Sequence, residues 1–232
     1  MRFAAFFLVF SIFVIAGDRG GEYFSTDSGP VTMTLLHHAT FEMEQNNRVI
    51  YVDPTSDSNF KGLPKADLIL ITNDQPGHLD LAAITHLSRK NTAIIAPPGP
   101  APRLPHCTAL PNGETVSMGE IVIEAVPAYQ DAPQTTHAKG QGNGYVVTFS
   151  GFRVYISGDT GVFPEMSKIK NIDVAFLAVG TPETMSLDDA IKVIKLMKPR
   201  VLYPYQYGGT NPDDIRKQLP NAGTEVRTRN WY

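Results

Sequence analysis

Residues 68–80 of this chain read Leu68-Ile69-Leu70-Ile71-Thr72-Asn73-Asp74-Gln75-Pro76-Gly77-His78-Leu79-Asp80. The four apolar residues that open this stretch, followed by a β-branched threonine, predict a buried strand. Pro76 and Gly77 then form a loop, and a helical pattern begins near Asp80. In open α/β folds, ligands bind beside the ends of such strands. The polar residues of this loop are therefore the first candidates for a functional site.

The composition is that of an ordinary folded domain. The chain has 232 residues, of which 42% are hydrophobic, and a net charge of −3. This length can bury one large core, and we predict a single domain over residues 31–232. The sequence pI is about 6.1 and the lysines and arginines are scattered. We therefore expect no DNA or RNA partner.

The N-terminal segment differs from the rest of the chain. Arg2 precedes the run Phe3–Ile15, which is apolar apart from Ser11 and shorter than the roughly 20 residues of a spanning helix. This layout predicts a signal peptide at 1–17 and a secreted or periplasmic protein. An organelle-targeting segment or an uncleaved membrane anchor is the alternative, and only such an anchor would bring the chain to a membrane. Residues 18–30 are polar and glycine-rich, which predicts a flexible leader.

Strand and helix patterns alternate along the remaining chain. Period-two patterns and short apolar runs predict strands over Val31–Leu36, Phe41–Gln45, Arg48–Val52, Ala93–Ala96, Glu120–Val126, Tyr145–Phe149, Arg153–Ser157, Val174–Val179, Val201–Tyr205 and Glu225–Tyr232. Capping residues and apolar stripes predict helices over Leu81–Ser88, Leu187–Met197 and a last one from Pro212 to Leu219. The single cysteine, Cys107, excludes an internal disulfide.

Short polar motifs follow several of these strands. They are His37-His38-Ala39-Thr40, Asp53-Pro54, Pro127-Ala128-Tyr129-Gln130, Lys139-Gly140-Gln141-Gly142-Asn143-Gly144, Ser157-Gly158-Asp159-Thr160-Gly161 and Pro204-Tyr205-Gln206-Tyr207. The glycines of the fourth motif lack the spacing of a phosphate-binding loop and predict a tight entry into a hairpin. A lone histidine such as His38 is as readily a structural residue at a strand end as a site residue, and both interpretations stay open.

Together these motifs resemble the metallo-β-lactamase superfamily, and within it a lactonase-like branch related to L-ascorbate-6-phosphate lactonase. The superfamily signature, Thr-His-x-His-x-Asp-His at a strand end, corresponds to Thr72–His78. The resemblance covers about Val31–Tyr232 and implies an α/β fold with α+β layers, the αββα sandwich of two sheets covered by helices. It also implies a site for one or two metal ions, usually zinc, with Asp159 as the residue that bridges them.

Most of the metal-binding positions implied by this resemblance carry other residues here. The residual ligands are His78 and Asp159, and the substituted positions are Asn73, Gln75, Gly77, Gln130 and Gln206. Zinc sites usually take at least three ligands from thiolate, imidazole and carboxylate groups. We therefore expect no cofactor, and a neutral network in which amides bond to one another and to Asp159. The side chains expected to line the cleft beside it are His38, His137 and Tyr129.

Three functions are compatible with this pattern. The leading prediction is a catalytically silent member of the superfamily, acting as a binding or structural subunit with a protein assembly or a small molecule as partner. The alternative is a metal-dependent hydrolase of lactone, ester or phosphoester substrates, with one zinc or other divalent cation on His78, Asp159 and either His38 or His137. A third hypothesis is a Ca²⁺ or Mg²⁺ site on the amide oxygens and Asp159, although good sites of that kind carry several carboxylates.

Overall fold

Two seven-stranded sheets form the centre of the protein in the computed structural model, which describes residues 21–130, 137–180, 182–219 and 223–230. The predicted signal peptide, 1–17, lies outside the described residues. Within the described ranges, no helix combines the length and the apolar character needed to span a membrane.

The first sheet contains its strands in chain order. They are β1 (Glu22–Phe24), β2 (Val31–His37), β3 (Thr40–Gln45), β4 (Arg48–Val52), β5 (Leu68–Leu70), β6 (Ala93–Ala96) and β7 (Cys107–Ala109). Strands β1 to β4 pair antiparallel, and β4 to β7 pair parallel. Helix α1 (Leu81–Leu87) connects β5 to β6, and the Asp80 side chain caps it by accepting hydrogen bonds from the backbone N–H groups of Ala82 and Ala83, as predicted.

The second sheet repeats this arrangement in reverse spatial order. Its strands are β8 (Thr115–Met118), β9 (Ile121–Ala128), β10 (Gly142–Phe149), β11 (Phe152–Ile156), β12 (Val174–Ala178), β13 (Val201–Tyr205) and β14 (Glu225–Val226). Strands β8 to β11 are antiparallel, and β11 to β14 are parallel. The connecting helices are α2 (Leu187–Met197) and α3 (Asp213–Gln218), with short 3-10 helices at Ala101–Arg103 and Pro164–Lys168.

The largest hydrophobic cluster fills the space between the two sheets. Phe41 of the first sheet stacks on Phe176 of the second, with ring centroids 4.2 Å apart. The outer faces are covered as well: α1 buries Ile84 against the first sheet, and α2 buries Ile194 against the second. The predicted αββα sandwich is therefore confirmed. Its helix–sheet–sheet–helix layering arises because each amphipathic helix buries its apolar stripe against the outer face of one sheet.

The predicted leader at 18–30 is wrong where the structure describes it. Residues 22–24 form β1, which pairs with β2, and the ring of Phe24 is buried 5.5 Å from that of Phe152. Glu22 accepts hydrogen bonds from Arg227 and Arg229 near the opposite end of the chain. These contacts order the segment, because a buried carboxylate paired with two guanidinium groups cannot stay mobile. The predicted closing strand over 225–232 is also too long: β14 covers only Glu225–Val226.

Candidate functional site

The candidate site lies where strands of both sheets end at one edge of the sandwich. Segments that follow β2, β4, β5, β11 and β13 bring together His38, Asp53, His78, Asp159 and Gln206. Three of these residues have left-handed backbone: φ is 52° at His38, 42° at Asp53 and 52° at Gln206. Non-glycine residues seldom adopt this conformation, and it persists where the surrounding structure enforces it, often at functional sites.

His78 is held between two carboxylates. Its Nδ1 lies 2.8 Å from Asp53 Oδ2, and its Nε2 lies 2.9 Å from Asp159 Oδ2. The residue is only 1% exposed and Asp159 only 6% exposed. When both ring nitrogens carry protons, each donates to a carboxylate, so this geometry suits the imidazolium form.

The charges of this triad shift its pKa values. Burial alone lowers the pKa of His78, but Asp159 and Asp53 together outweigh burial and raise it to about 10. Burial also acts to raise the pKa of Asp159, yet the charge and hydrogen bond of His78 leave it below its usual value. The predicted network of amides is present in part, since Asn73 donates to Asp159, but at its centre the structure places His78 between two buried carboxylates.

Asp53 fixes the orientation of His78. Its Oδ1 accepts a hydrogen bond from the backbone N–H of Thr72 at 2.7 Å, and its Oδ2 accepts one from Thr72 Oγ1 at 2.6 Å. A histidine whose Nδ1–H is bound to a buried carboxylate has a defined tautomer and ring plane, as metal-binding histidines do. The Asp53-Pro54 pair is visible in the sequence, but Asp53 is not among the predicted site residues. The available signal was a carboxylate directly after a buried strand.

Asp159 is positioned by a turn that only glycine can make. Gly158 has φ of +59°, and a Cβ there would lie 2.9 Å from the carbonyl oxygen of Asn143. Its backbone N–H donates to the Tyr205 hydroxyl at 3.1 Å, which ties the turn to the end of β13. Asp159 Oδ1 is buried and has no hydrogen-bond partner among the described residues. Asp159 Oδ2 therefore contacts His78 Nε2, while Oδ1 can still accept a hydrogen bond or bind a cation.

Gln206 and His38 complete the cluster on the other side of His78. The Gln206 Nε2 atom lies 2.8 Å from His78 Nε2 and 3.3 Å from His38 Nε2, while its Oε1 is buried without a partner among the described residues. Burial lowers the pKa of His38, and the positive charge of His78 lowers it further, so His38 is neutral at neutral pH. The His38 ring lies against Gly77: a Cβ at that position would be 3.3 Å from His38 Cδ2.

Two of the substituted metal-binding positions, Asn73 and Gln75, make hydrogen bonds within the site. Asn73 Nδ2 donates to Asp159 Oδ2 at 3.2 Å, and its Oδ1 accepts from the backbone N–H of Gln75 at 2.9 Å. The Nε2 atoms of Gln75 and His137 lie 3.2 Å apart. His137 is buried with its Nε2 3.9 Å from Asp159 Oδ2, so the structure brings this predicted cleft residue to the site.

Two residues expected in the cleft point elsewhere. Gln130 Nε2 donates to the carbonyl oxygen of Pro182 at 2.7 Å, and the Tyr129 hydroxyl donates to Glu165 at 3.2 Å while its ring packs on Phe163. The prediction for Tyr129 is therefore wrong. The reason is strand periodicity: near the end of β9 its side chain joins the outer apolar layer beneath the 3-10 helix at 164–168.

The donors present fit one divalent cation and do not fit two. No group of three or more His, Cys, Asp or Glu side chains in the described ranges forms a ready-made metal site. The two strong donors, His78 and Asp159, are however accompanied by two unpartnered buried oxygens, Asp159 Oδ1 and Gln206 Oε1. An imidazole, a carboxylate and an amide oxygen give three candidate protein ligands, of which the first two are usual for zinc and the amide oxygen is more typical of harder cations. Among the described residues, a second cation would have Asn73 and Gln75, whose amides make hydrogen bonds, and His137.

The two stacked sheets, the flanking helices and a His–Asp cluster at the strand ends define the class as a metallo-β-lactamase fold. The family model described as "Beta-lactamase superfamily domain" matches residues 32–206, and the chain belongs to this family.

Relatives with similar sequences support the same placement. A protein of Archaeoglobus fulgidus named UPF0173 metal-dependent hydrolase is 31% identical over 217 residues, covering 84% of this chain and 93% of the relative. A protein of Thermococcus onnurineus with the same name is 30% identical over 206 residues, covering 81% of this chain and 91% of that protein. The similarity therefore extends over nearly the whole length of these relatives.

Solved structures agree with this result. A Parabacteroides distasonis protein with the provisional name metal-dependent hydrolase superimposes with a TM-score of 0.87 and 41% identity, covering 90% of this chain and 97% of that one. Igni18, a metallo hydrolase of Ignicoccus hospitalis, superimposes with a TM-score of 0.72 at 23% identity, covering 86% of this chain and 95% of that one. At that identity the second match supports the fold alone.

Proposed function

We propose that this protein is a metal-dependent hydrolase whose site holds a single divalent cation, and that it acts on lactone, ester or phosphoester substrates. The observation that carries the proposal is the pairing of His78 with Asp159 beside two buried, unpartnered oxygens, Asp159 Oδ1 and Gln206 Oε1. Leaving a buried polar oxygen without a partner costs about 1–3 kcal/mol. A bound cation would satisfy Asp159 Oδ1 as placed, and Gln206 Oε1 after a half turn of its amide group.

The prediction of a catalytically silent protein is corrected by the relatives. Proteins that align over 84% and 81% of this chain carry the name metal-dependent hydrolase, and so does a solved structure at 41% identity. The expectation that no cofactor binds has no support from these names either. The lactonase-like branch and a site reduced to one metal remain part of the present proposal and rest on the sequence motifs and the donor count.

The residues around His78 have different roles in the proposed site. Asp53 holds His78 through Nδ1, which directs Nε2 toward Asp159 and Gln206. A cation bound at Nε2 would take the place of the proton there, so His78 would hold it as a neutral imidazole. Asp159 offers one occupied and one open carboxylate oxygen, and Gln206 can present its amide oxygen by a half turn of the amide group. A divalent cation bound there would polarise a substrate carbonyl or phosphoryl oxygen and activate water near neutral pH.

His38 is the proposed proton acceptor beside this centre. Its imidazole is neutral at neutral pH and half-buried, and its Nε2 lies 3.3 Å from the Gln206 amide nitrogen. A neutral histidine within reach of an activated water is a suitable general base. Because His78 and Asp159 are almost fully buried, substrate has to approach from the side of His38 and Gln75, which are less buried.

Metal analysis combined with a hydrolysis panel tests the proposal. Protein purified without an affinity tag is analysed for metals, then assayed on an acyl lactone, p-nitrophenyl acetate and bis-p-nitrophenyl phosphate. We expect about one divalent ion per chain and hydrolysis of at least one substrate. Both should be lost in His78→Ala and Asp159→Asn, because each removes one of the two strong donors.

His86→Ala provides the matched control, since His86 is an exposed histidine on α1. This variant should keep both metal and activity. The proposal would be overturned by protein that binds no added Zn²⁺, Mn²⁺ or Fe²⁺, or by hydrolysis at an unchanged rate in His78→Ala.

A further inference from the structure

A second cavity lies on the outer face of the second sheet and shares no lining residue with the His78 cluster. It has a volume of about 350 Å³ and is enclosed by β9, β10, β11 and the 3-10 helix Pro164–Lys168. Its apolar lining includes four buried residues, namely Val126, Val146, Phe163 and Ile169. Cavities of this size lie at the lower end of the range used for small ligands.

Charged side chains surround this apolar floor unevenly. Three cations, Lys139, Arg153 and Lys168, face two carboxylates, Glu124 and Glu165. Lys139 Nζ lies 2.6 Å from Glu165 Oε1, so these two charges neutralise each other. The rim therefore carries one net positive charge, in a chain whose total charge is −3.

Arg153 is the unsatisfied member of this rim. Its Nε is buried and has no hydrogen-bond partner among the described residues, and its Nη2 reaches only 4.0 Å from Glu124 Oε2. A guanidinium group presents Nε–H and Nη–H as a planar fork that matches a carboxylate. A buried donor without an acceptor is costly, and a ligand carboxylate would remove this cost.

We propose that this cavity binds a small amphipathic monocarboxylate, with its carboxylate on Arg153 and its apolar body on Val126, Val146 and Phe163. The exposed Lys168 stands on the same rim and adds to the positive potential that attracts the anion. The volume suits a short aliphatic or aromatic acid rather than a long lipid chain. This site is independent of the proposed hydrolysis, because none of its residues belongs to the His78 cluster.

Calorimetric titration with octanoate tests the proposal on the full protein. We expect saturable binding of one octanoate per chain, with much weaker binding of octan-1-ol and octylamine, which have the same chain without the negative charge. Arg153→Met keeps the apolar stem and should weaken octanoate binding by about tenfold to a hundredfold, the loss expected for a charge-assisted hydrogen bond. Lys168→Met changes an exposed side chain and should weaken binding by a smaller factor.

Arg48→Met serves as the control, because Arg48 is a cation that lies outside this cavity. Its affinity for octanoate should equal that of the wild type. Circular dichroism and thermal unfolding establish that each variant is folded before titration. Absence of saturable octanoate binding, equal binding of octylamine, or an unchanged affinity in the Arg153 variant would overturn the proposal.

Discussion

Raising the pH should destabilise the metal-free protein through a single buried residue, His78. Its pKa in the folded protein is about 10, against an ordinary value of 6.5. A group whose pKa is raised on folding contributes its full stability below the ordinary value, and this contribution is lost as the pH rises through the folded value. The loss should therefore fall between pH 6.5 and pH 10.

The size of this effect follows from the same two values. Each tenfold change in proton affinity corresponds to about 1.4 kcal/mol, so the whole interval is worth on the order of 5 kcal/mol. No discount for solvent screening applies, because the ion pairs of His78 with Asp53 and Asp159 are almost fully buried. Such a loss is comparable to the total stability of many domains.

Urea unfolding in the presence of a chelator measures this effect. The free energy of unfolding is determined at intervals from pH 6.5 to 10 for the wild type and for His78→Gln, a neutral side chain of similar reach. Subtracting the two curves cancels the titration of groups that do not interact with His78. We expect the difference to fall steadily over this interval. Parallel curves would show that His78 is not a buried cation and would refute the arrangement described here.

Three further predictions concern single positions. Asp53→Asn removes the carboxylate that orients His78. It should lower the free energy of unfolding by about 3–5 kcal/mol, measured by urea unfolding, and the affinity for Zn²⁺ ten- to a hundredfold, measured by titration. An unchanged metal affinity would contradict the orienting role. Gly77→Ala should be more destabilising than Gly62→Ala in thermal unfolding: both glycines have positive φ, +96° and +78°, but only a Cβ at 77 meets a side chain within 4 Å. Equal decreases in unfolding temperature would mean that backbone strain at positive φ, and not the contact with His38, accounts for the destabilisation. Arg227→Met leaves the buried Glu22 without one of its two guanidinium partners. It should lower the free energy of unfolding by about 3–5 kcal/mol and speed amide hydrogen exchange in β1. Unchanged exchange would exclude a role of this ion pair in holding β1.

Local patterns explain why most of the fold was predictable. Helices α1 and α2, for example, begin at Asp80 and Ser186, whose side chains accept hydrogen bonds from backbone N–H groups two or three positions further on. The strands β1, β7 and β8 were missed. Strand β1 shows why, because its three residues are ordered by β2 and by Arg227 rather than by their own pattern.

The site was predictable in its members but not in its chemistry. The motifs located His78 and Asp159 and the substituted positions around them. Counting lost metal ligands led to a neutral amide network and a silent protein, yet Asp53 arrives beside His78 from a different strand end, 2.8 Å away. Its carboxylate gives His78 a defined orientation, which the motif alone does not reveal.

The sequence by itself determined the layered α/β class, the order of most strands and helices, and the identity of two site residues. These features depend on periodicity and motifs, which are properties of neighbours along the chain. Only the tertiary structure decided that His78 lies between Asp53 and Asp159, that Tyr129 points away from the cleft, and that Arg153 faces a second cavity. Those outcomes depend on distances between residues far apart in the chain, because Coulomb energy and burial act through space and not along the sequence.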